Sequence, residues 1–329
     1  MVIRQDLEEE WYMGLKNKIE EIIISYDYGY NDWYVTEFYK FFHKKLNEIL
    51  NVNIKFVPLK DLAKNMGKEF NDHSDSLFTW FNLIIMNTKT GKMFVHSWYD
   101  YAFTTYLYCE KNNYNVVKFS ACSSITNEFI ENHKNVQPSI YYLENWSDQN
   151  LINFNPSGSK KNNCYFAGWS HGNRENILNE FKKYDFFDIF LKGGDKPNKT
   201  KKVYYDDLSN YKFGLSLDGA AGICYRDIEL FASGSLNLRQ PIKINTYSPI
   251  IEGVHYVNFV NEDLISSIIK GYNVESEIKE NIEKIIDFSS TSEYNLIIDN
   301  AREWFEKNCL PDNQFKILYS FLDELEILF

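Results

Sequence analysis

The segment from Tyr211 to Phe259 constrains the fold more than any other part of the chain. Its sequence is YKFGLSLDGAAGICYRDIELFASGSLNLRQPIKINTYSPIIEGVHYVNF. It predicts a strand, a turn that contains Gly219 and Gly222, a helix that ends at Gly234, and a second strand. Because a helix between two strands typically joins parallel neighbours, the segment predicts an α/β fold.

Charged side chains in this helix indicate an anion site. The helix is predicted to begin near Ala221–Ile223, where unpaired N–H groups and the helix dipole favour a phosphate. Arg226, in the first turn, adds a cation that can bind phosphate oxygens in a fork. Glu229, one turn later on the same face, places a carboxylate where a ribose could be held. The alternative is an ordinary turn with a surface ion pair between Arg226 and Glu229.

A second strand, loop and helix of the same kind occurs earlier. The stretch FAGWSHGNREN, Phe166–Asn176, follows its strand with Ser170, His171 and Arg174. In open α/β sheets, such loops meet at the carboxyl edge, where ligands bind. The alternative is a helix capped by Ser170 or Asn173, with Arg174 in solvent.

The rest of the chain alternates helices and strands, which favours helices stacked on a largely parallel sheet. The polar stretch Asn145–Asn163 is predicted to be a linker between two domains. Residues 5–50 are predicted to be helical, because Leu15, Ile19, Ile22 and Ile23 keep helical spacing, and a second helix begins at about Trp33. The other predicted elements, in chain order, are a strand from Ile54, a hairpin over Leu83–Val95, a helix over Ala102–Glu110, the strands NVVKFSAC, SIYYLEN from Ser139 and CYFAGWS, a helix over Ile177–Lys183, the strand FFDIFLKGG, and helices from Glu262 to Phe329.

Composition narrows the class of protein. The 329 residues suffice for two domains, and 44% of them are apolar. The net charge of −11 argues against a nucleic-acid or anionic membrane surface. Five cysteines without CxxC spacing, no apolar leader and no membrane-length apolar run predict a cytoplasmic protein, in a host cytoplasm if the chain is viral.

The two loops resemble the family of protein O-glucosyltransferases and capsule-associated or lipopolysaccharide-modifying glycosyltransferases. That family has the pattern F-x-G-S-R-x-x-x-x-R-[DE], where this chain has FAGWSHGNREN. It also has Y-K-[YF]-x-[LI]-x-[LIV]-[DR]-G-x(6)-[YF]-R, C-G-S-[VL]-[VL] and H-Y-[IV]-P-[VF], where this chain has YKFGLSLDGAAGICYR, SGSLNL and HYVNF. The likeness runs from Cys164 to Phe259, and the first half of the chain resembles the family only loosely.

The resemblance implies a GT-B fold, in which two Rossmann-like domains face a cleft, with helical N- and C-terminal segments. We expect an N-terminal acceptor-side domain over residues 1–150, a nucleotide-sugar-binding domain over residues 151–310, and a C-terminal helix over residues 311–329 that packs back on the N-terminal domain. The resemblance also implies an inverting transfer from a UDP- or other NDP-sugar to a hydroxyl of a glycan, glycoconjugate or protein. The donor-binding residues implied are Ser170, His171, Arg174, Gly219, Ala220, Arg226 and Glu229. Glu229 departs from this family and matches, with Gly234, the E-x4-G spacing of other GT-B enzymes. Many of those enzymes retain the configuration at the anomeric carbon, so retention is the alternative to inversion.

The acceptor hydroxyl needs a base. Asp100 follows a predicted strand in MFVHSWYDYAF and is the first candidate, with helix capping as its alternative; His96 is the second candidate. Asp72, Asp75 and Trp98 are candidate acceptor contacts. No Asp-x-Asp motif occurs, so we expect no metal and no cofactor, with arginines neutralising the leaving diphosphate.

Three other functions fit the same sequence. One is a phage-type glycosyltransferase that modifies a DNA base, which the acidic net charge disfavours. Another is a sugar-nucleotide epimerase or hydrolase on the same scaffold. The last is a binding protein that performs no chemistry.

Overall fold

In a computed structural model, the chain is described over residues 22–26, 34–50, 54–70, 77–79, 82–98, 102–122, 125–140, 159–168, 174–191, 201–219 and 222–325. It divides into two compact units. The first consists of Met1–Trp146, Ile244–Tyr247 and Pro311–Phe329, and the second of Ser147–Lys243 and Ser248–Leu310.

The first unit is built on a mixed five-stranded sheet in the order β2-β1-β3-β4-β5. Its strands are β1 (Ile22–Ser25), β2 (Ile54–Phe56), β3 (Asn82–Asn87), β4 (Met93–Ser97) and β5 (Val116–Ala121). Its helices up to residue 140 are α1 (Tyr34–Ile49), α2 (Leu59–Asn65), α3 (Ala102–Lys111) and α4 (Asn127–Asn132). The helix predicted from Trp33, the strand from Ile54 and the helix over Ala102–Glu110 are confirmed.

The hairpin predicted over Leu83–Val95 is confirmed, and it explains why this sheet is not largely parallel. A short turn can join only antiparallel strands, so β3 pairs antiparallel with β4. It also pairs antiparallel with β1, while β1 and β2, and β4 and β5, are parallel.

The prediction that Ile22 and Ile23 lie in a helix is wrong. Both lie in β1, an Ile-Ile-Ile-Ser strand with Ile22 and Ile24 buried against the core. Three consecutive β-branched residues favour a strand, because their restricted side chains pack well on a pleated surface. Residues 5–21 lie outside the described residues.

The end of the chain packs within the first unit. A helix spans Pro311–Tyr319. The centre of its Phe315 ring lies 5.1 Å from the centre of the Phe42 ring on α1. A 3₁₀ helix follows over Ser320–Leu325, and the Leu325 carbonyl accepts a hydrogen bond of 3.1 Å from the Asn87 amide.

The second unit is built on a parallel five-stranded sheet in the order β10-β9-β8-β6-β7. Its strands are β6 (Lys161–Gly168), β7 (Phe187–Leu191), β8 (Tyr211–Ser216), β9 (Leu236–Arg239) and β10 (Val257–Asn258). Its helices are α5 (Arg174–Phe181), α6 (Lys201–Ser209), α7 (Tyr225–Ser233), α8 (Glu262–Ile269), α9 (Glu275–Phe288) and α10 (Ser292–Cys309), so that Pro311–Tyr319 becomes α11. The predicted α/β class with two Rossmann-like sheets is confirmed.

Two details of the sequence prediction change in this region. Lys161 to Asn163, assigned to the linker, begin β6, because Lys161 pairs with Tyr211 on the neighbouring strand. Of the strand predicted from Ser139, the described residues form one isolated β-bridge, between Ser139 and Thr246. Residues 141–158 lie outside the described residues. Within the described part of the chain, no helix is long and apolar enough to cross a membrane.

Candidate functional site

The candidate site lies at the carboxyl edge of the second sheet. From β6 the chain goes to β7 on one side and then crosses to β8 on the other side. Strand order therefore reverses between β6 and β8, and in open α/β folds a ligand crevice forms at such a switch point. The loops that follow β6 and β8 are the two loops that the sequence marks as an anion site.

Arg174 reaches from the first of these loops to the second. It is the first residue of α5 and is 9% exposed. Its Nη2 donates a hydrogen bond of 2.6 Å to the carbonyl of Leu217, just after β8. A Cβ atom at Gly219 would lie 2.9 Å from the same Nη2, so glycine lets the turn approach the guanidinium. Burial lowers the pKa of Arg174. The alternative prediction, that the Arg174 side chain lies in solvent, is wrong.

Arg226 reaches in the opposite direction. It lies in the first turn of α7, and its Nη2 donates to the carbonyl of Ala167 near the end of β6. Its guanidinium lies 4.1 Å from the centre of the Phe166 ring, a cation–π contact. A Cβ atom at Gly168 would lie 2.6 Å from Nη2. Each arginine thus crosses the switch point and donates to a backbone carbonyl beside the other loop, which we call the exchange of Arg174 and Arg226.

The start of α7 is fixed by a capping box. The helix begins at Tyr225, later than the predicted Ala221–Ile223, because the backbone N–H of Cys224 donates to the Asp227 carboxylate at 2.9 Å. The predicted end at Gly234 is confirmed, since this glycine adopts the left-handed conformation with φ of 64°.

Glu229 is buried beside Arg226, with only 8% of the residue exposed. Its Oε2 accepts a hydrogen bond of 2.6 Å from the Tyr204 hydroxyl on α6. Burial, and then the Glu229 charge, raise the pKa of Tyr204 well above its usual range, so the phenol stays a donor. Because Arg226 and Glu229 are both buried, the alternative of a surface ion pair is wrong.

A buried ion network that sequence reasoning missed holds the turn between β8 and α7. Arg239, the last residue of β9, is fully buried and lies 2.7 Å from carboxylate oxygens of both Asp218 and Asp227. Burial raises the pKa of Asp218 to about 6 against the opposing effect of Arg239. For Asp227 the effect of Arg239 and of hydrogen bonds outweighs burial, so its pKa is lowered. A charged residue that closes the apolar strand SLNLR is the sequence signal that could have identified Arg239.

Two candidate residues lie in the first unit. His96 is fully buried on β4, and its Nδ1 lies 2.7 Å from the Ser120 hydroxyl oxygen. Burial lowers the pKa of His96 to about 3, which leaves the imidazole neutral at pH 7 and favours the structural alternative. Trp98 is half-buried, and its carbonyl accepts from the Cys122 thiol at 3.3 Å.

The structure therefore brings together four of the predicted donor-binding residues, Arg174, Gly219, Arg226 and Glu229. Six other candidates lie outside the described residues: Asp72, Asp75, Asp100, Ser170, His171 and Ala220.

Of three comparisons with known proteins, one finds similar proteins: the search of solved structures, which finds glycosyltransferases. No protein-family model matches the chain, and no curated protein matches it. A glycosyltransferase from Rickettsia africae ESF-5 is similar with a TM-score of 0.49 and 14% identity, over 94% of this chain and 98% of that one. The GtfA/B complex gives a TM-score of 0.44 and 15% identity over 67% of this chain. The pneumococcal O-GlcNAc transferase GtfA, solved with UDP and GlcNAc, gives 0.42 and 12% over 67%. The chain spans about half the length of these last two structures, 48% and 47%.

Proposed function

We propose that this protein is a GT-B glycosyltransferase that moves a sugar from a nucleoside-diphosphate sugar to a hydroxyl group. UDP is the favoured nucleotide, and the acceptor is a glycan, a glycoconjugate or a protein. The observation that carries this proposal is the exchange of Arg174 and Arg226 across the switch point of a parallel sheet.

Two guanidinium groups and a helix N-terminus suit a diphosphate better than a single phosphate. Arginine binds phosphate oxygens in a fork and keeps its charge when buried. In a partly buried site, cations stabilise the negative charge that develops on a leaving diphosphate. Arginines in this role need no metal, so we propose a metal-independent transfer.

Glu229 supports a nucleotide as the rest of the donor. Its carboxylate lies one helical turn beyond Arg226, and one of its oxygens accepts from Tyr204. A carboxylate accepts hydrogen bonds, and the hydroxyl groups of a ribose are hydrogen-bond donors. We assign Glu229 to the ribose and Ser170, His171, Gly219 and Ala220 to the donor loops.

The chemical step needs a base for the acceptor hydroxyl, and we assign it to Asp100. His96 is the weaker candidate, because its imidazole is fully buried and bonded to Ser120. Inversion follows from direct attack by the acceptor oxygen on the anomeric carbon, opposite the departing diphosphate. Asp72, Asp75 and Trp98 are proposed acceptor contacts.

A thermal-shift screen with UDP, GDP, CMP and their sugar conjugates tests the donor site. A ligand at a hundredfold excess over its Kd adds about 2.7 kcal/mol of stability, which raises Tm by about 5 °C or more. We expect UDP or a UDP-sugar to give such a shift, and Arg174→Ala and Arg226→Ala to abolish it. Lys279→Ala, which removes an exposed cation of the second unit, is the matched control.

Failure of every nucleoside diphosphate to stabilise the protein would refute the proposal. Incubation of a UDP-sugar with and without acceptors then separates transfer from hydrolysis or epimerisation, and EDTA tests metal independence. Binding without chemistry, unchanged in Asp100→Asn, would leave the binding protein as the function. Salt-sensitive DNA binding would favour the DNA-modifying alternative.

A further inference from the structure

Arg239 connects three points of the turn between β8 and α7. Its Nη2 lies 2.7 Å from Oδ1 of Asp218, at the start of the turn, and donates to the carbonyl of Gly222 at 2.9 Å. Its Nη1 lies 2.7 Å from Oδ1 of Asp227, in the first turn of α7. One rigid guanidinium therefore sets the distance between the end of the strand and the beginning of the helix.

Further hydrogen bonds fix both carboxylates. Gln240 donates to Oδ2 of Asp218 at 2.6 Å and accepts from the Asp218 N–H at 3.2 Å. Asn237 donates to Oδ1 of Asp227 at 2.9 Å. Each acid is thus held by Arg239 and by an amide side chain from β9 or its end.

The turn held in this way carries the groups of the donor site. Gly219 directly follows Asp218 and faces Arg174, and Arg226 directly precedes Asp227. A shift of Asp218 or Asp227 would move these two neighbours with it. A buried charged network is weak evidence for stability, because apolar groups can often replace it at little cost, and in some proteins such a network specifies one conformation.

We propose that Arg239 is a positioning residue that holds the turn between β8 and α7 in the shape that receives the donor diphosphate. This proposal rests on the proposed function. It assigns to Arg239 a role in binding that requires no contact with the ligand, and to Asp218 and Asp227 the role of its two anchors.

The test compares the Kd values of UDP and UMP, measured by calorimetry on the full chain. Arg239→Lys keeps the charge and loses the fork, and Asp218→Asn keeps the shape and loses one anchor. We expect the preference for UDP over UMP to fall about tenfold in Arg239→Lys and less in Asp218→Asn, because the second phosphate loses its aligned partners. Arg302→Lys is the matched control, since Arg302 donates to the Ala232 carbonyl near the other end of α7.

A purely structural role would lower Tm and weaken both ligands equally, so an unchanged ratio of the two Kd values in Arg239→Lys overturns the proposal. If Arg239→Lys does not fold, Asp218→Asn decides by the same ratio, because its side chain is 24% exposed and tolerates the change more readily. Wild-type protein that binds neither UDP nor another nucleoside diphosphate overturns the proposed function and the positioning role together. Wild-type binding with unchanged variants overturns the positioning role alone.

Discussion

Two glycines make room for the arginines of the candidate site. Gly168 ends β6 beside Nη2 of Arg226, and Gly219 follows β8 beside Nη2 of Arg174. Neither glycine has a positive φ, so close approach and not backbone conformation is the reason for glycine. Each glycine lies against the arginine of the other loop, so a side chain at either glycine would displace that guanidinium group.

Gly168→Ala is therefore expected to weaken UDP binding without unfolding the protein. The added Cβ would lie 2.6 Å from Nη2, the far end of a flexible side chain, so Arg226 moves and the fold stays. We expect affinity for UDP to fall about tenfold, the effect of losing a charge-assisted hydrogen bond. Calorimetric titration measures it. An affinity for UDP equal to that of the wild-type protein would contradict the explanation.

The contact between β8 and α7 places these residues. Strand β8 is almost entirely buried, with Phe213 and Leu215 in the core of the second unit. Gly214 faces the other way, toward Leu230 on α7. The helix can lie against the strand only because this position has no side chain, and its N-terminus then meets the sheet edge.

Gly214→Ala should accordingly destabilise the second unit. The new Cβ would lie 2.0 Å from Cδ2 of Leu230, and this fully buried side chain can move only by displacing its neighbours in the core. Overpacking of this kind costs about 1–3 kcal/mol. Denaturant unfolding measures it, and in a Leu230→Ala background the loss caused by Gly214→Ala should be smaller, because the clashing atom is absent. A Gly214→Ala protein as stable as wild type would show that the packing of α7 on β8 is looser than this.

Periodicity and turn residues predict most elements of this chain, but not the contacts between distant ones. The strand–turn–helix at Gly219 follows from local glycines, whereas the candidate donor-binding residues follow from the family resemblance as well. Arg239 was missed because its importance lies in ion pairs with Asp218 and Asp227, which come from other elements. The helix predicted at Ile22 is wrong because i, i+4 spacing of apolar residues also occurs by chance in a β-branched run.

The chain divides into two units with separate cores, and we expect the stability of each unit to depend on a different variable. Nucleotide is expected to stabilise the second unit, where the arginines lie. The first unit contains His96, fully buried on the sheet with Ser120 as a partner. A neutral imidazole buried in this way makes the unit sensitive to acid, because the unfolded chain takes up a proton more readily.

The sign of this effect follows from the two pKa values. The pKa of His96 is about 3 in the folded protein and 6.5 in a model peptide. The stability that the neutral imidazole contributes is therefore fully present above pH 6.5 and is lost progressively as the pH falls toward 3. Between pH 7.5 and 5 the loss from His96 is about 2 kcal/mol.

His96→Asn tests this directly, because the amide cannot titrate and can still bond to Ser120. The variant is expected to be less stable at pH 7.5, since it leaves space in the core. Its free energy of unfolding should nevertheless fall by about 2 kcal/mol less than that of wild type between pH 7.5 and 5. Urea unfolding at the two pH values measures the difference. Equal losses in both proteins would mean that other groups cause the acid sensitivity of this unit.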